Sequence, residues 1–316
     1  GCYGSRFYQT PTIDSLAHAG VLFTDGYAAC TVSSPTRAAL MTGKYPARLH
    51  LTDWIAGWNY PWAKLRIPEW TKYLPLEEKT VAEYLKDSGY QTWHVGKWHL
   101  GDDEKYWPEN QGFDVNIGGN YKGAPIKNKE GCNGYFSPYC LPRLENGEEG
   151  EYLTDRLTDE AERLIEKQGD RPFFLNMSHY AVHTPLGAKP ELERKYEALA
   201  DSSYFHNNAT YAAMIQSVDE SLNRILEVLK RKGVLDNTLI IVTSDNGAVH
   251  KISKSYPLRK GKGAEYEGGV RVPLIVYWKG HTPVNKKECD CDNGYKKCNN
   301  NACHQCQNRC RCESER

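Results

Sequence analysis

Apolar positions along the chain recur with two periods, and the two alternate. At 12–19 and 80–87 they fall three and four residues apart among charged ones, which predicts amphipathic helices closed by Gly20 and Gly89. Longer helical stretches are predicted at 152–167 and 211–232. A further helix begins near Pro35, which suits a first turn because no amide is missed there. Ala38, Ala39, Leu40 and Met41 propagate it, and Gly43 ends it ahead of Tyr45-Pro46. Strands are predicted at 91–95, 172–177, 237–243 and 272–278. The second is an apolar run bounded by Asp170 and His179, as a buried parallel strand would be, and the third is rich in Leu, Ile and Val. Alternation of this kind predicts an α/β fold with a mostly parallel central sheet between helices, and ligands at the C-terminal ends of its strands.

Two segments break the alternation. Residues 54–70 and 110–150 are rich in Trp, Tyr, Gly, Asn and Pro and are expected as long surface loops, functional rather than disordered. Trp54, Trp58, Tyr60 and Trp62 either offer flat faces to a sugar ring or pack the first loop onto the domain. At residue 286 the composition changes: seven of the eleven cysteines follow, among Asn, Lys, Gln and Arg. The expected organisation is a domain over 1–285 and a tail, 286–316, outside its core. Cys289-Asp290-Cys291, Cys303-His304-Gln305-Cys306 and Cys310-Arg311-Cys312 leave open a small metal or disulfide knot, a frame-shifted read-through or an abrupt fusion end.

Charge narrows the partners. Lys plus Arg equal Asp plus Glu at 40 each, so no global field favours nucleic acid or a membrane surface. No apolar run has the length needed to cross a bilayer.

The candidate chemistry lies where elements end. Ser33 sits beside the start of the Pro35 helix, where unpaired amides and the positive dipole end favour a tetrahedral dianion, and Arg37 adds a bidentate cation. Lys97 and His99, two apart, would face one side of an extended segment. Asp245 and Asn246 follow the strand at 237–243 and offer hard oxygen donors that select calcium or magnesium, although Ser-Asp-Asn-Gly is also a good turn sequence. His183 and Lys262 stand in Tyr180-Ala181-Val182-His183-Thr184-Pro185 and in the basic, glycine-rich run from Pro257 to Gly263.

Taken in order, these runs resemble one family. Gly1-Cys2-Tyr3-Gly4, Ser33-Ser34-Pro35-Thr36-Arg37, Val95-Gly96-Lys97-Trp98-His99-Leu100-Gly101, the His183 and Lys262 runs, Thr243-Ser244-Asp245-Asn246-Gly247 and Tyr266-Glu267-Gly268-Gly269-Val270-Arg271 are similar to type I sulfatases of the alkaline phosphatase superfamily, over residues 1 to about 280. The resemblance implies an alkaline-phosphatase-like sandwich and hydrolysis of sulfate esters, on a sulfated saccharide or an aryl sulfate. It implies that Ser33 is oxidised to formylglycine by a maturase, that its hydrate attacks sulfur, and that the ester collapses back to the aldehyde. Arg37 then orients the nucleophile, Lys97 and His99 hold and deprotonate it, His183 protonates the leaving alcohol, and Lys262 grips sulfate. Asp245, Asn246 and the residue at Ser33 are implied ligands of Ca2+ or Mg2+.

Two departures qualify this. Serine rather than cysteine at position 33 resembles the bacterial class matured by an oxygen-independent radical enzyme, which points to a bacterial source; a periplasmic or secreted location is expected, and the aromatic loops suit polysaccharide degradation. The two aspartates that complete the family's metal site belong to a strand upstream of Gly1, so the chain is expected to lack that first strand and the C-terminal subdomain. It is then expected to hold metal weakly and to be inactive or poorly active as it stands. A phosphate mono- or diester hydrolase of the same superfamily, and a catalytically dead sulfatase-like binding protein or gene fragment, stay open as alternatives.

Overall fold

The computed structural model describes residues 1–298 except Asn59, Glu130 and 292–293, with side chains described only up to Lys286. In chain order the helices are α1 (Pro11–Ala19), α2 (Ser33–Thr42), α3 (Pro46–Leu49), α4 (Val81–Asp87), α5 (Leu153–Lys167), α6 (Pro190–Leu199), α7 (Ala209–Arg231) and α8 (Glu267–Val270). The strands are β1 (Val21–Phe23), β2 (Gln91–Gly96), β3 (Val115–Ile117), β4 (Lys127–Lys129), β5 (Cys132–Asn133) and β6 (Phe173–Ser178). They continue with β7 (Ile240–Thr243), β8 (Leu274–Tyr277), β9 (Lys286–Cys291) and β10 (Gly294–Cys298). No helix among the described residues is long and apolar enough to cross a membrane. The chain divides into two compact units, one of residues 1–31 together with everything from Glu191 onward, the other Val32–Pro190.

In the first unit α1 and α7 pack on a five-stranded sheet of order β10-β9-β1-β8-β7. Leu16, Ala17, Leu22 and Ile275 form the buried centre, with Ile13, Leu222, Leu226, Ile240 and Val242 around them. Thr10 precedes α1 without capping it. The buried Asp219 of α7 takes over, accepting from the Thr12 and Ile13 amides at 3.1 and 2.8 Å, so one carboxylate fastens the two helices. Burial holds that carboxyl above its ordinary pKa despite the amides.

The pairing in this sheet departs from the mostly parallel expectation. β7–β8 and β8–β1 are antiparallel, and only β9 joins β1 in parallel. The link from β7 to β8 runs through loops and the single turn of α8 instead of a crossover helix, and antiparallel pairing does not require one. The backbone of β9 and β10, expected outside the core from residue 286, extends the same sheet. A strand edge offers amides and carbonyls to any extended backbone, whatever its side chains, so composition does not reveal this. Cys303, Cys306, Cys310 and Cys312 lie outside the described residues.

The second unit carries the parallel sheet, of order β3-β2-β6, with every neighbour parallel. β2 is buried from Thr92 to Gly96, as the middle strand should be. Ala38, Met41, Leu51, Leu74, Trp98, Leu100 and Phe113 form the core beside it. α4 starts on a capping box in which Thr80 accepts from the Glu83 amide while the Glu83 carboxylate accepts from the Thr80 amide. α5 buries Leu153, Leu157, Ala161, Leu164 and Ile165, the stripe its periodicity predicts.

Residues 110–150 are not a plain surface loop. They contain β3, the β4–β5 hairpin and a Cys132–Cys140 disulfide, and most of their aromatics turn inward: Phe113, Tyr135 and Tyr139 are buried, while Tyr121 is exposed. The aromatic richness of this stretch is therefore packing.

His94 in β2 is fully buried. Its Nε2 donates to the Gly96 carbonyl and its Nδ1 accepts from Asn176, each at 3.0 Å, which satisfies the neutral ring. Burial pushes its pKa from 6.5 down to about 3, and that of His179 to about 4. The unfolded chain takes up these protons below about pH 6.5 while the native chain resists, so their contribution to stability is whole above that pH and is lost as pH falls through the folded values. The urea midpoint is expected to drop between about pH 7 and about pH 5. His94→Gln, which cannot titrate, should show a shallower drop over the same interval.

Candidate active site

In the second unit three segments meet around one hydroxyl. Ser33 is the first residue of α2, behind Val32, whose extended backbone forms the N-cap without a side-chain cap bond. The N-cap side chain thus offers the first turn no oxygen, and the dipole's positive end lies next to a serine only 3 % exposed. Gly43 closes the helix in a left-handed conformation, φ 68°, its amide returning to the Ala39 carbonyl.

Lys97 follows the last residue of β2. Its ammonium, on a side chain as deeply buried as the serine, donates to Ser33 Oγ at 3.0 Å. The Lys97 amide donates to the Ser178 carbonyl at 2.7 Å, and its carbonyl accepts from Arg37 Nη1 at 2.9 Å and from Ser178 Oγ at 2.8 Å. Arg37 Nη1 also lies 2.7 Å from Ser178 Oγ. Arg37, one turn into α2, thus ties the helix to the ends of β2 and β6 and holds the backbone that aims Lys97.

His99 belongs to the same cluster by a route other than the one expected. The strand stops at Gly96, and His99 itself has φ 65°, so simple alternation does not govern Lys97 and His99. The left-handed turn, with the His99 amide donating to the Asn120 carbonyl at 2.8 Å, sends the ring to Ile55, where Nε2 donates to the carbonyl at 2.5 Å. Gly123 lies so close that an added Cβ would fall 2.5 Å from the ring, which requires glycine there. Ile55 also donates its amide to Ser34 Oγ at 3.1 Å. One backbone residue therefore binds both the serine beside Ser33 and the imidazole.

His183 sits on the turn after β6. Its Nδ1 lies 2.7 Å from the Thr184 carbonyl and must donate there, which makes Nε2 the proton-accepting nitrogen of the neutral ring. The turn is held by the Tyr135 hydroxyl, 2.8 Å from the carbonyls of both Tyr180 and His183.

The first unit holds the remaining candidates. Asp245 and Asn246 follow β7. Ser244 Oγ donates to the Asn246 carbonyl and Asn246 Nδ2 to the Gly247 carbonyl, both at 2.9 Å, leaving the amide oxygen as the ligand-type atom of that side chain. Gly247 packs so tightly on Gly268 that a Cβ would overlap its carbonyl, and the Lys262 amide donates to the Ala248 carbonyl at 2.8 Å. Lys262 and the Asp245–Asn246 pair are thus on backbone segments bonded to each other. As a metal site the set is incomplete: one carboxylate and one amide oxygen, even with the oxygen expected from Ser33, fall short of the roughly six to eight oxygens a calcium ion takes. No cluster of three or more His, Cys, Asp or Glu suited to a metal occurs among the described residues.

Residue chemistry alone did not reveal Ser178, Ile55, Asn120 and Tyr135. Three of them act wholly or partly through backbone atoms, and Tyr135 sits in a stretch read as surface, so only an inward-facing aromatic next to a half-cystine could have marked it.

The family model described as Sulfatase matches residues 1–293. The uncharacterised sulfatase YdeN of Escherichia coli (strain K12) is 35 % identical over 304 residues, covering 86 % of this chain and 49 % of the relative. Human N-acetylgalactosamine-6-sulfatase is 32 % identical over 305 residues, covering 90 % and 55 %. Among solved structures, Ps i-CgsB in complex with k-i-k-neocarrahexaose aligns with a TM-score of 0.73 at 34 % identity, over 90 % of this chain and 63 % of that one. The chain spans about half the length of the curated relatives it matches.

Because Asp245, Asn246 and the oxygen at Ser33 supply fewer oxygens than a calcium ion takes, calorimetric titration with Ca2+ is expected to give weak binding that Asp245→Asn weakens further. A tight one-site isotherm would contradict the incomplete donor set.

Proposed function

Because the chain belongs to the sulfatase family, we propose that it hydrolyses sulfate esters on a sulfated carbohydrate, with Ser33 as the nucleophile position. The observation that carries this reading is the buried ammonium of Lys97 at 3.0 Å from Ser33 Oγ, at the start of α2. A sulfate monoester resists nucleophiles because its oxygens repel them, so the reaction needs concentrated positive charge around an activated oxygen. Lys97 and the helix start supply that charge, and Arg37 keeps Lys97 in position.

Formylglycine, formed from Ser33 by a maturase, would supply a hydrated aldehyde as nucleophile and a route for releasing sulfate without attack by water at sulfur. Lys97 donates a hydrogen bond to the oxygen at this position and stabilises negative charge on it. His99, its Nε2 committed to Ile55, holds the neighbouring segment and is proposed to exchange the nucleophile's proton through Nδ1. His183, with Nδ1–H held by Thr184, is proposed to protonate the leaving alcohol from Nε2. Lys262 is proposed to bind the sulfate. Ca2+ or Mg2+ is the ion that Asp245 and Asn246 would serve, as part of a larger set of oxygens. The names of relatives, N-acetylgalactosamine-6-sulfatase among them, support a sulfated saccharide as substrate. The Cys132–Cys140 disulfide supports a periplasmic or secreted location, since such bonds persist in oxidising compartments.

The test is expression with and without a serine-type maturase. Peptide mass spectrometry is expected to find Ser33 two hydrogens lighter only with the maturase, with hydrolysis of an aryl sulfate appearing in the same sample. Ser33→Ala should abolish turnover, and Lys97→Ala should lower kcat by about 10²–10³-fold, the usual loss for one preorganised donor to developing charge. An unmodified serine with full sulfatase activity, or activity on phosphate esters alone, would overturn the reading.

A further inference from the structure

One exposed segment of the second unit has no role in the chemistry above. Every described residue from Trp58 to Glu69 is exposed, although the run contains Trp58, Tyr60, Trp62, Leu65 and Ile67. Trp62 is 70 % exposed and Trp58 56 %, so neither packs this loop onto the domain. The stem, by contrast, is fastened. Ile55 is bonded to Ser34 and His99, the Gly57 backbone lies against the half-buried Trp70 indole, and the Thr71 amide donates to the His50 carbonyl at 2.7 Å. The result is an arm rooted on the residues that touch the nucleophile's neighbour, with its aromatic tip in solvent.

The arm is also cationic. Lys64, Arg66 and Lys72 outnumber Glu69, and all four are exposed. Among the described residues Lys64 and Arg66 have no hydrogen bond or ion pair. Tyr60 and Trp62 meet edge to face, 5.7 Å between centroids and 87° between planes, and Tyr60 is tied to Asp53 at 3.3 Å, so the ring pair is braced. Flat apolar faces interleaved with unpaired cations match a ligand that is itself apolar on one face and anionic on its rim. A sulfated sugar has both properties, and two exposed indoles with two cations are more than one such sugar would engage.

We propose that residues 58–69 hold a sulfated polysaccharide chain beyond the ester being cleaved, stacking sugar faces on Trp58 and Trp62 and pairing neighbouring sulfates with Lys64 and Arg66. This rests on the sulfate-ester reading above and adds that the substrate is polymeric and polyanionic around the cleaved group.

The experiment uses the full chain, matured at Ser33. Its mobility is measured in native gels containing chondroitin sulfate or carrageenan, and in gels containing the same polymers after chemical desulfation. Hydrolysis is compared on the polymer and on 4-nitrocatechol sulfate. Retardation is expected only with the sulfated polymer and should weaken as salt rises. The pairs Trp58→Ala with Trp62→Ala, and Lys64→Ala with Arg66→Ala, should each weaken it about tenfold and lower the polymer-to-aryl ratio of kcat/KM by a similar factor. Equal retardation of wild type and both variants, or a proportional loss on both substrates, overturns the arm. Capture by phosphatidylglycerol vesicles without retardation by polysaccharide overturns it in favour of a membrane surface. Sulfation-dependent, arm-dependent retardation with hydrolysis of 4-nitrophenyl phosphate but of neither sulfate ester supports the arm and overturns the sulfate-ester reading instead.

Discussion

A buried ammonium must be answered by oxygen, and in this protein that requirement organises the second unit. Lys97 is almost wholly removed from water, where an unmatched charge would cost several kcal/mol (roughly, for a real protein interior). Its contact with Ser33 Oγ therefore couples two chain segments: α2 has to begin where β2 ends. The rest follows from keeping that coupling in register. Arg37 bonds the Lys97 carbonyl, Ser178 at the end of β6 bonds the same carbonyl and is bonded by Arg37, and the parallel register of β2 with β6 sets Gly96 opposite Ser178. An arginine, a serine and two strand ends are spent on one lysine's direction.

The same logic explains why this part of the molecule contains unusual backbone. Gly96, with φ 105°, lies so close to the Ser178 carbonyl that any Cβ would collide with it, and His99 adopts a left-handed conformation that few non-glycine residues take. Such conformations persist where surrounding contacts over-determine them, and they cluster at sites that must hold groups still. Here the turn from Gly96 to His99 lets two basic side chains, two positions apart, leave in different directions, one toward Ser33 and one toward Ile55. A regular strand would have carried both to the same face.

Much of the fold was legible from local chemistry. The apolar spacing ahead of Gly89, the glycine after Thr42 and the apolar stripe of α5 announced helices within a residue or two of where they lie. The strands at β2, β6, β7 and β8 were visible as apolar runs, but their directions were not, because direction depends on the path of the connection. The stretch 110–150 misled for a related reason: Gly, Asn and Pro signal turns correctly, while whether Tyr135 and Tyr139 face water or the core depends on a disulfide and on carbonyls far away in the chain. At the site, Ser33 and Arg37 were legible by residue type and spacing and Lys97 through the family resemblance, whereas Ile55 and Asn120 act through backbone atoms that any residue carries.

Sequence by itself determined that a serine opens a short helix with an arginine one turn in, that basic and imidazole groups recur at fixed spacings, and that charge balance confines recognition to local patches, since caps, helix starts and composition are properties of neighbouring residues. Tertiary structure decided which lysine meets which oxygen, across 64 positions of chain, and which way the strands run. It also decided which aromatics are core and which form an exposed arm. These are decided by contacts between distant segments, whose energies depend on burial and register and are carried by no single stretch of chain.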